Sequence, residues 1–136
     1  MPSKPRKTVQ SNFIALLNFI ADPAIIVDGT GRFLVVNDAF IHLIGLKANE
    51  LIGTAFFNIS NLTAKSKKTL VKNLKKRMNG IAVKPYEIEF TDKIEKRYAE
   101  VKAKKISYNG QPADLVVFHD ITRRKENTRR LKEYSE

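Results

Sequence analysis

The sequence predicts an α+β domain: a five-stranded, largely antiparallel sheet with helices grouped in the middle of the chain. Two β-branched runs come early, AIIVD (24–28) and RFLVVN (32–37), and three come late, VKPYEIEFT (83–91), KRYAEVKAKKISY (96–108) and PADLVVFHDI (112–121). A hairpin signal sits in each group, Gly29-Thr30-Gly31 in the first and Asn109-Gly110 in the second. Between the groups the apolar residues recur at helical spacing.

Taken in order, residues 1–8 are polar with two prolines and are expected to form a disordered basic arm. Residues 9–21 form a flanking helix, with Phe13, Leu16, Leu17 and Ile20 at helical spacing and Pro23 ending it. After the first hairpin, Asn37 or Asp38 caps the short helix DAFIHLIG, which Gly45 closes. KANELIGT and FFNISNL read as helical turns. AKSKKTLVKNLKKRMNG is a firmer helix, with Leu70, Leu74, Met78 and Ile81 on one side and lysines on the others. In the first late strand Tyr86, Ile88 and Phe90 alternate with Glu87 and Glu89.

Leu115, Val116, Val117 and Phe118 are consecutive and apolar, so both faces of the last strand require cover. The central helices can cover one. The 9–21 helix is the spare apolar element for the other, and a second subunit could share that task. Phe13, Leu16, Leu17 and Ile20 with Leu115 and Val117 are therefore the candidate dimer interface. From Thr122 the chain reads as a charged helix, 122–136, whose weak stripe of Ile121, Thr128, Leu131 and Tyr134 or Ser135 would suit the first turns of a coiled coil leading to an effector.

Composition removes several chemistries. The 136-residue chain has no cysteine, which excludes disulfides, thiolate metal sites and a thiol nucleophile. No apolar run approaches the roughly 20 residues of a membrane span, and the N-terminus lacks a signal-peptide pattern, so a cytoplasmic location is expected. His42 and His119 have no companions at metal-ligand spacing, no metal site is expected, and His119 falls on the face opposite Phe118. No nucleophile elbow, phosphate loop or paired acids appear, so no catalytic residue is assigned and the chain is not expected to be an enzyme.

The segment ADPAIIVDGTGRFLVVNDAFIHLIGLKANELIGT resembles the opening of a PAS domain in Asp28 with Gly31, Asn37 with Ala39 and Phe40, Gly45, and Glu50-Leu51-Ile52-Gly53. The closing VVFHDITRRKE resembles the Asp-Ile-Thr exit of that family. The resemblance covers roughly 12–128, with the domain itself placed at 22–121. It implies strand order 2-1-5-4-3 with helices across one face, and a sensor or dimerisation module of a signal-transduction protein, most often the input domain of a sensor histidine kinase. It also implies a signal relay through Asp120, Ile121, Thr122 and Arg124, with Asp120 anchoring the junction by pairing with Arg124. Without cysteine the cysteinyl-flavin adduct of some members is excluded. The long central helix carries no histidine, which argues against haem.

Strand alternation and the central helices place Phe56, Phe57, Leu70, Leu74, Met78, Tyr86, Ile88, Phe90, Val101, Val116 and Phe118 around a common interior. Either they fill it, or they leave a pocket for a small apolar ligand whose polar end would meet Tyr86 or Asn58. So many bulky groups favour a nearly closed interior. No acid lies between Glu50 and Glu87, whereas Lys65, Lys67, Lys68, Lys72, Lys75, Lys76, Arg77 and Lys84 do. The alternative function is a nucleic-acid-associated regulatory adaptor using this 65–84 face. Lysine in place of arginine, and the lack of interleaved aromatics, argue against nucleic acid and for a solvated helix side.

Overall fold

The computed structural model describes the backbone of residues 5–92 and 94–135 and the side chains of 12–92 and 94–132. Five strands form one sheet in the order β2-β1-β5-β4-β3: β1 (Ala24–Asp28), β2 (Phe33–Val36), β3 (Tyr86–Thr91), β4 (Lys96–Tyr108) and β5 (Gln111–Asp120). Every neighbouring pair is antiparallel. The fold class and strand order are those expected.

Both hairpins form where turn chemistry demands. Asp28 Oδ1 accepts the Thr30 and Arg32 amides at 2.9 and 3.0 Å and the Thr30 hydroxyl at 2.6 Å, wrapping the β1–β2 turn around one carboxylate. Asn109 has a φ of 52° and Gly110 a φ of 77°, as a type I′ hairpin requires.

Helices α2 (Asp38–Ile44), α3 (Ala48–Leu51) and α4 (Ala64–Met78), with a 3₁₀ turn at Phe56–Asn58, lie on the inner face. Helix α4 starts where the Thr63 hydroxyl accepts the Ser66 amide at 3.1 Å. Ser66 Oγ then accepts the Glu89 amide at 2.9 Å and donates to its carbonyl at 2.8 Å, tying α4 to β3. Ile25, Val27, Phe33, Phe40, Leu70, Leu74, Ile88, Phe90, Val101 and Val116 make the inner core. Ile81, expected on the α4 stripe, lies beyond the helix and is 53% exposed, because the chain turns at Gly80.

The outer face is covered by α1 (Pro5–Phe19), which begins at Pro5 rather than Val9, so residues 5–8 are helical and not an arm. Residues 1–4 lie outside the described ones. Leu17 packs with Ala24, Ile26, Val35, Tyr108 and Ala113, and the Phe13 ring stands 5.0 Å from Tyr108. Asn37, fully buried, joins the layers. Its Oδ1 accepts the Phe40 and Ala24 amides at 3.0 and 2.9 Å, and its Nδ2 donates to the Leu17 and Asp22 carbonyls at 2.9 Å. No helix among the described residues is long and apolar enough to cross a membrane.

Candidate functional site

Inside the inner core is a cavity of about 50 Å³. Phe56, Leu70, Leu74, Ile88, Phe90, Val116 and Phe118, all expected around the interior, line it, as do Ile25, Val27, Phe33, Phe40 and Ala99. The volume is well below the roughly 150 Å³ that admits benzene in an engineered apolar cavity. Val101, Met78 and Tyr86 belong to the surrounding core without lining the cavity. Phe57 is 41% exposed and Asn58 is exposed too. A 3₁₀ turn sends successive side chains in different directions, so Phe56 points inward and its two neighbours do not. Neither Phe57 nor Asn58 reaches the cavity.

One wall is polar and was not anticipated. Arg77, the arginine of α4, turns inward and meets Asp114 of β5: Nη2 lies 2.7 Å from Oδ2, and Nε lies 3.0 Å from both carboxylate oxygens. They are 6% and 0% exposed. Burial raises the Asp114 pKa against the hold of Arg77; the guanidinium is lowered by burial and raised more by Asp114, so it stays charged. The Tyr86 hydroxyl lies buried beside these groups and Asn73 without a hydrogen-bond partner among the described residues, and burial raises its pKa. The helical phase held the signal: Arg77 falls seven residues after Leu70 and three after Leu74. Asp114 shares strand parity with Val116 and Phe118.

The second constellation joins the cavity to the exit helix α5 (Thr122–Ser135). Ala99 lines the cavity and sits opposite Asp120 in the β4–β5 register. Its neighbour Tyr98 receives the Ile121 amide on its carbonyl at 2.9 Å and donates its own amide to Thr122 Oγ1 at 2.8 Å. Asp120 Oδ1 accepts the Thr122 amide at 2.8 Å, so Asp120 caps α5 while the Thr122 hydroxyl is spent on β4. Asp120 Oδ2 pairs with Arg97 Nε at 2.8 Å. Arg124, the expected partner, lies instead 3.9 Å from Glu87, because the helix carries it away from the strand end. Burial would raise the Asp120 carboxyl, but the Thr122 amide and Arg97 outweigh it and hold it below the ordinary aspartate value. Ile121 and Thr122 are both 3% exposed.

A family model described as a PAS domain matches residues 21–123. The chain belongs to the PAS domain family. Solved structures with the same fold include the PAS domain of BvgS from Bordetella pertussis, 20% identical, covering 92% of this chain and 95% of that one with a TM-score of 0.65. The PAS domain of an HTR-like protein from Haloarcula marismortui is 18% identical over 85% and 93%, TM-score 0.61. The PAS domain of the quorum-sensing receptor RpfR from Cronobacter turicensis, in complex with BDSF, is 17% identical over 76% and 96%, TM-score 0.65. Comparison with curated proteins finds no match. In this PAS domain the exit motif is Asp120-Ile121-Thr122, and the absence of cysteine rules out a cysteinyl flavin adduct.

The expected interface residues divide. Leu17 is buried between α1 and the sheet and Phe13, Ile20, Leu115 and Val117 pack partly against the outer cluster, whereas Leu16 is 63% exposed. Phe19, not singled out from the sequence, is 92% exposed. His119 is exposed, its Nδ1 3.1 Å from Asp22 Oδ2. Among the described residues no cluster of His, Asp and Glu could hold a metal ion.

Proposed function

We propose that this PAS domain is the sensory input module of a signal-transduction protein such as a sensor histidine kinase, and carries no chemistry of its own. A small apolar ligand, or a change at the outer face, repacks the sheet. The joint of Asp120, Ile121 and Thr122 passes the displacement to α5 and onward to an effector. The observation that carries this reading is the continuity through Ala99: one residue borders the cavity, opposes Asp120 and adjoins Tyr98, whose backbone bonds Ile121 and Thr122. The cavity as it stands is small, so a ligand must spread α4 from the sheet to enter, and that spreading is the signal. The RpfR domain in complex with BDSF is a fold relative in which a small molecule is held.

Exposed Leu16 and Phe19 on α1 fit a second copy of this chain, with the outer faces brought together. Native mass spectrometry of protein purified from cells tests ligand and subunit count together. A dimer carrying a small-molecule adduct is expected; a bare monomer at micromolar concentration would contradict both parts.

A further inference from the structure

The lysines of α4 are not used by the cavity, the joint or the outer face. Lys65, Lys68, Lys72 and Lys75 are exposed and spaced so that they share one side of the helix, a row about 15 Å long. Lys67, Lys68, Lys72 and Lys75 surround half-buried Val71. None of these has a carboxylate within ion-pair distance among the described residues, whose ion pairs lie at the inner wall, along β3, β4 and α5, and between Asp22 and His119. Lys105 adds an ammonium at the far end, where its Nζ donates to the Met78 carbonyl at 3.2 Å.

We propose that this face of α4 docks on an anionic lipid surface. A polyanion of some kind is called for by charge, and the residue types choose among them. Arginine, the residue that forks onto phosphates and bases, is represented in α4 by Arg77, which is buried against Asp114. The helix has no aromatic side chain on which a base could stack. What remains are hydrated point charges in a plane, suited to a field of headgroup phosphates with no fixed register. At the end of the row Ile81 is 53% exposed yet held in place, its amide donating to the Lys76 carbonyl at 2.8 Å. An ordered exposed aliphatic gains nothing from a nucleic-acid backbone and inserts readily at a headgroup–acyl boundary. Because α1 lies on the opposite face of the sheet, docking leaves the proposed dimer surface free.

The test is vesicle sedimentation of the whole chain with phosphatidylcholine alone and with added phosphatidylglycerol, beside a single- and a double-stranded DNA oligonucleotide. Binding to the anionic vesicles that weakens with salt is expected, with little on the neutral ones. K68E/K72E/K75E should lower the partition coefficient at least about 100-fold, from roughly five-fold per lysine. K104E/R129E/K132E, with the same change in net charge away from this face, should lower it far less. Equal loss in both triple variants, equal binding to neutral vesicles, no binding to vesicles at low salt, or DNA binding that is tighter and lost with the α4 triple would each overturn the proposal. Circular dichroism confirms that the variants, all at exposed positions, are folded.

Discussion

The Thr122 hydroxyl accepts the Tyr98 amide at 2.8 Å, which makes the first residue of the exit helix a rung on the edge of β4. Helix and sheet are thereby fused without a turn. A strand that runs straight into a charged helix has a structural reason: Ile121 and Thr122 are buried and bonded to β4, while residues 123–132 of α5 are exposed.

Replacing Thr122 with valine keeps the shape and removes the acceptor. The Tyr98 amide is then left without its partner, at a cost of about 1–3 kcal/mol. Urea unfolding should show that loss for Thr122→Val and much less for Thr122→Ser. Amide exchange across 122–128 should quicken in the valine variant.

Asp120 makes acid sensitivity specific. Its folded-state pKa is held below the ordinary value of 3.8, so its stabilising contribution is complete above that value and disappears as pH falls through the lower, folded-state pKa. Asp120→Asn should reduce stability at neutral pH and flatten the decline below about pH 4. Equal slopes for the two proteins in thermal melts across that range would show that Asp120 does not carry the effect.

The pair of Arg77 and Asp114 is expected to be costly to halve. Asp114→Leu leaves a buried guanidinium uncompensated, about 3–5 kcal/mol, whereas R77M/D114L removes both charges and should recover most of that loss. A double-mutant cycle in urea measures the coupling directly. Additive losses would mean that the two side chains act independently.

Gly31 tests the close approach of the first hairpin to the helical layer. Its φ is +91°, and a Cβ there would lie 2.7 Å from Cε2 of Phe56, the ring that lines the cavity. Gly31→Ala carries backbone strain of about 1–2 kcal/mol and a clash besides. Gly110→Ala, at a φ of +77° with open space around it, carries the strain alone. The gap between the two melting temperatures reports the Phe56 contact.

Much of the architecture was legible because it follows from local rules. Asn109-Gly110 forces a hairpin, Pro23 ends α1, and the consecutive apolar residues 115–118 require two covering layers, which α1 and α4 supply. The site was less so. Arg77 lies in the run KKRM and reads as one more surface cation until its helical phase is followed. Arg124 is near Asp120 in sequence, but Arg97 reaches it across the β4–β5 register, a relation that exists once the strands are aligned. The choice between Phe56 and Phe57 rests on the phase of a three-residue turn, for which no periodicity is available.

If the interior and α5 are coupled through Ala99 and Asp120, a change inside the cavity is felt in the helix. The chain lacks cysteine, so spin labels at Ser107→Cys and Arg129→Cys, both exposed, give one unambiguous distance. Ala99→Val pushes two methyl groups into the cavity beside the joint. The labelled distance should shift or broaden with that change, and D120N/T122V should abolish the response. A distance distribution identical with and without the valine, in protein that remains folded, would contradict the account.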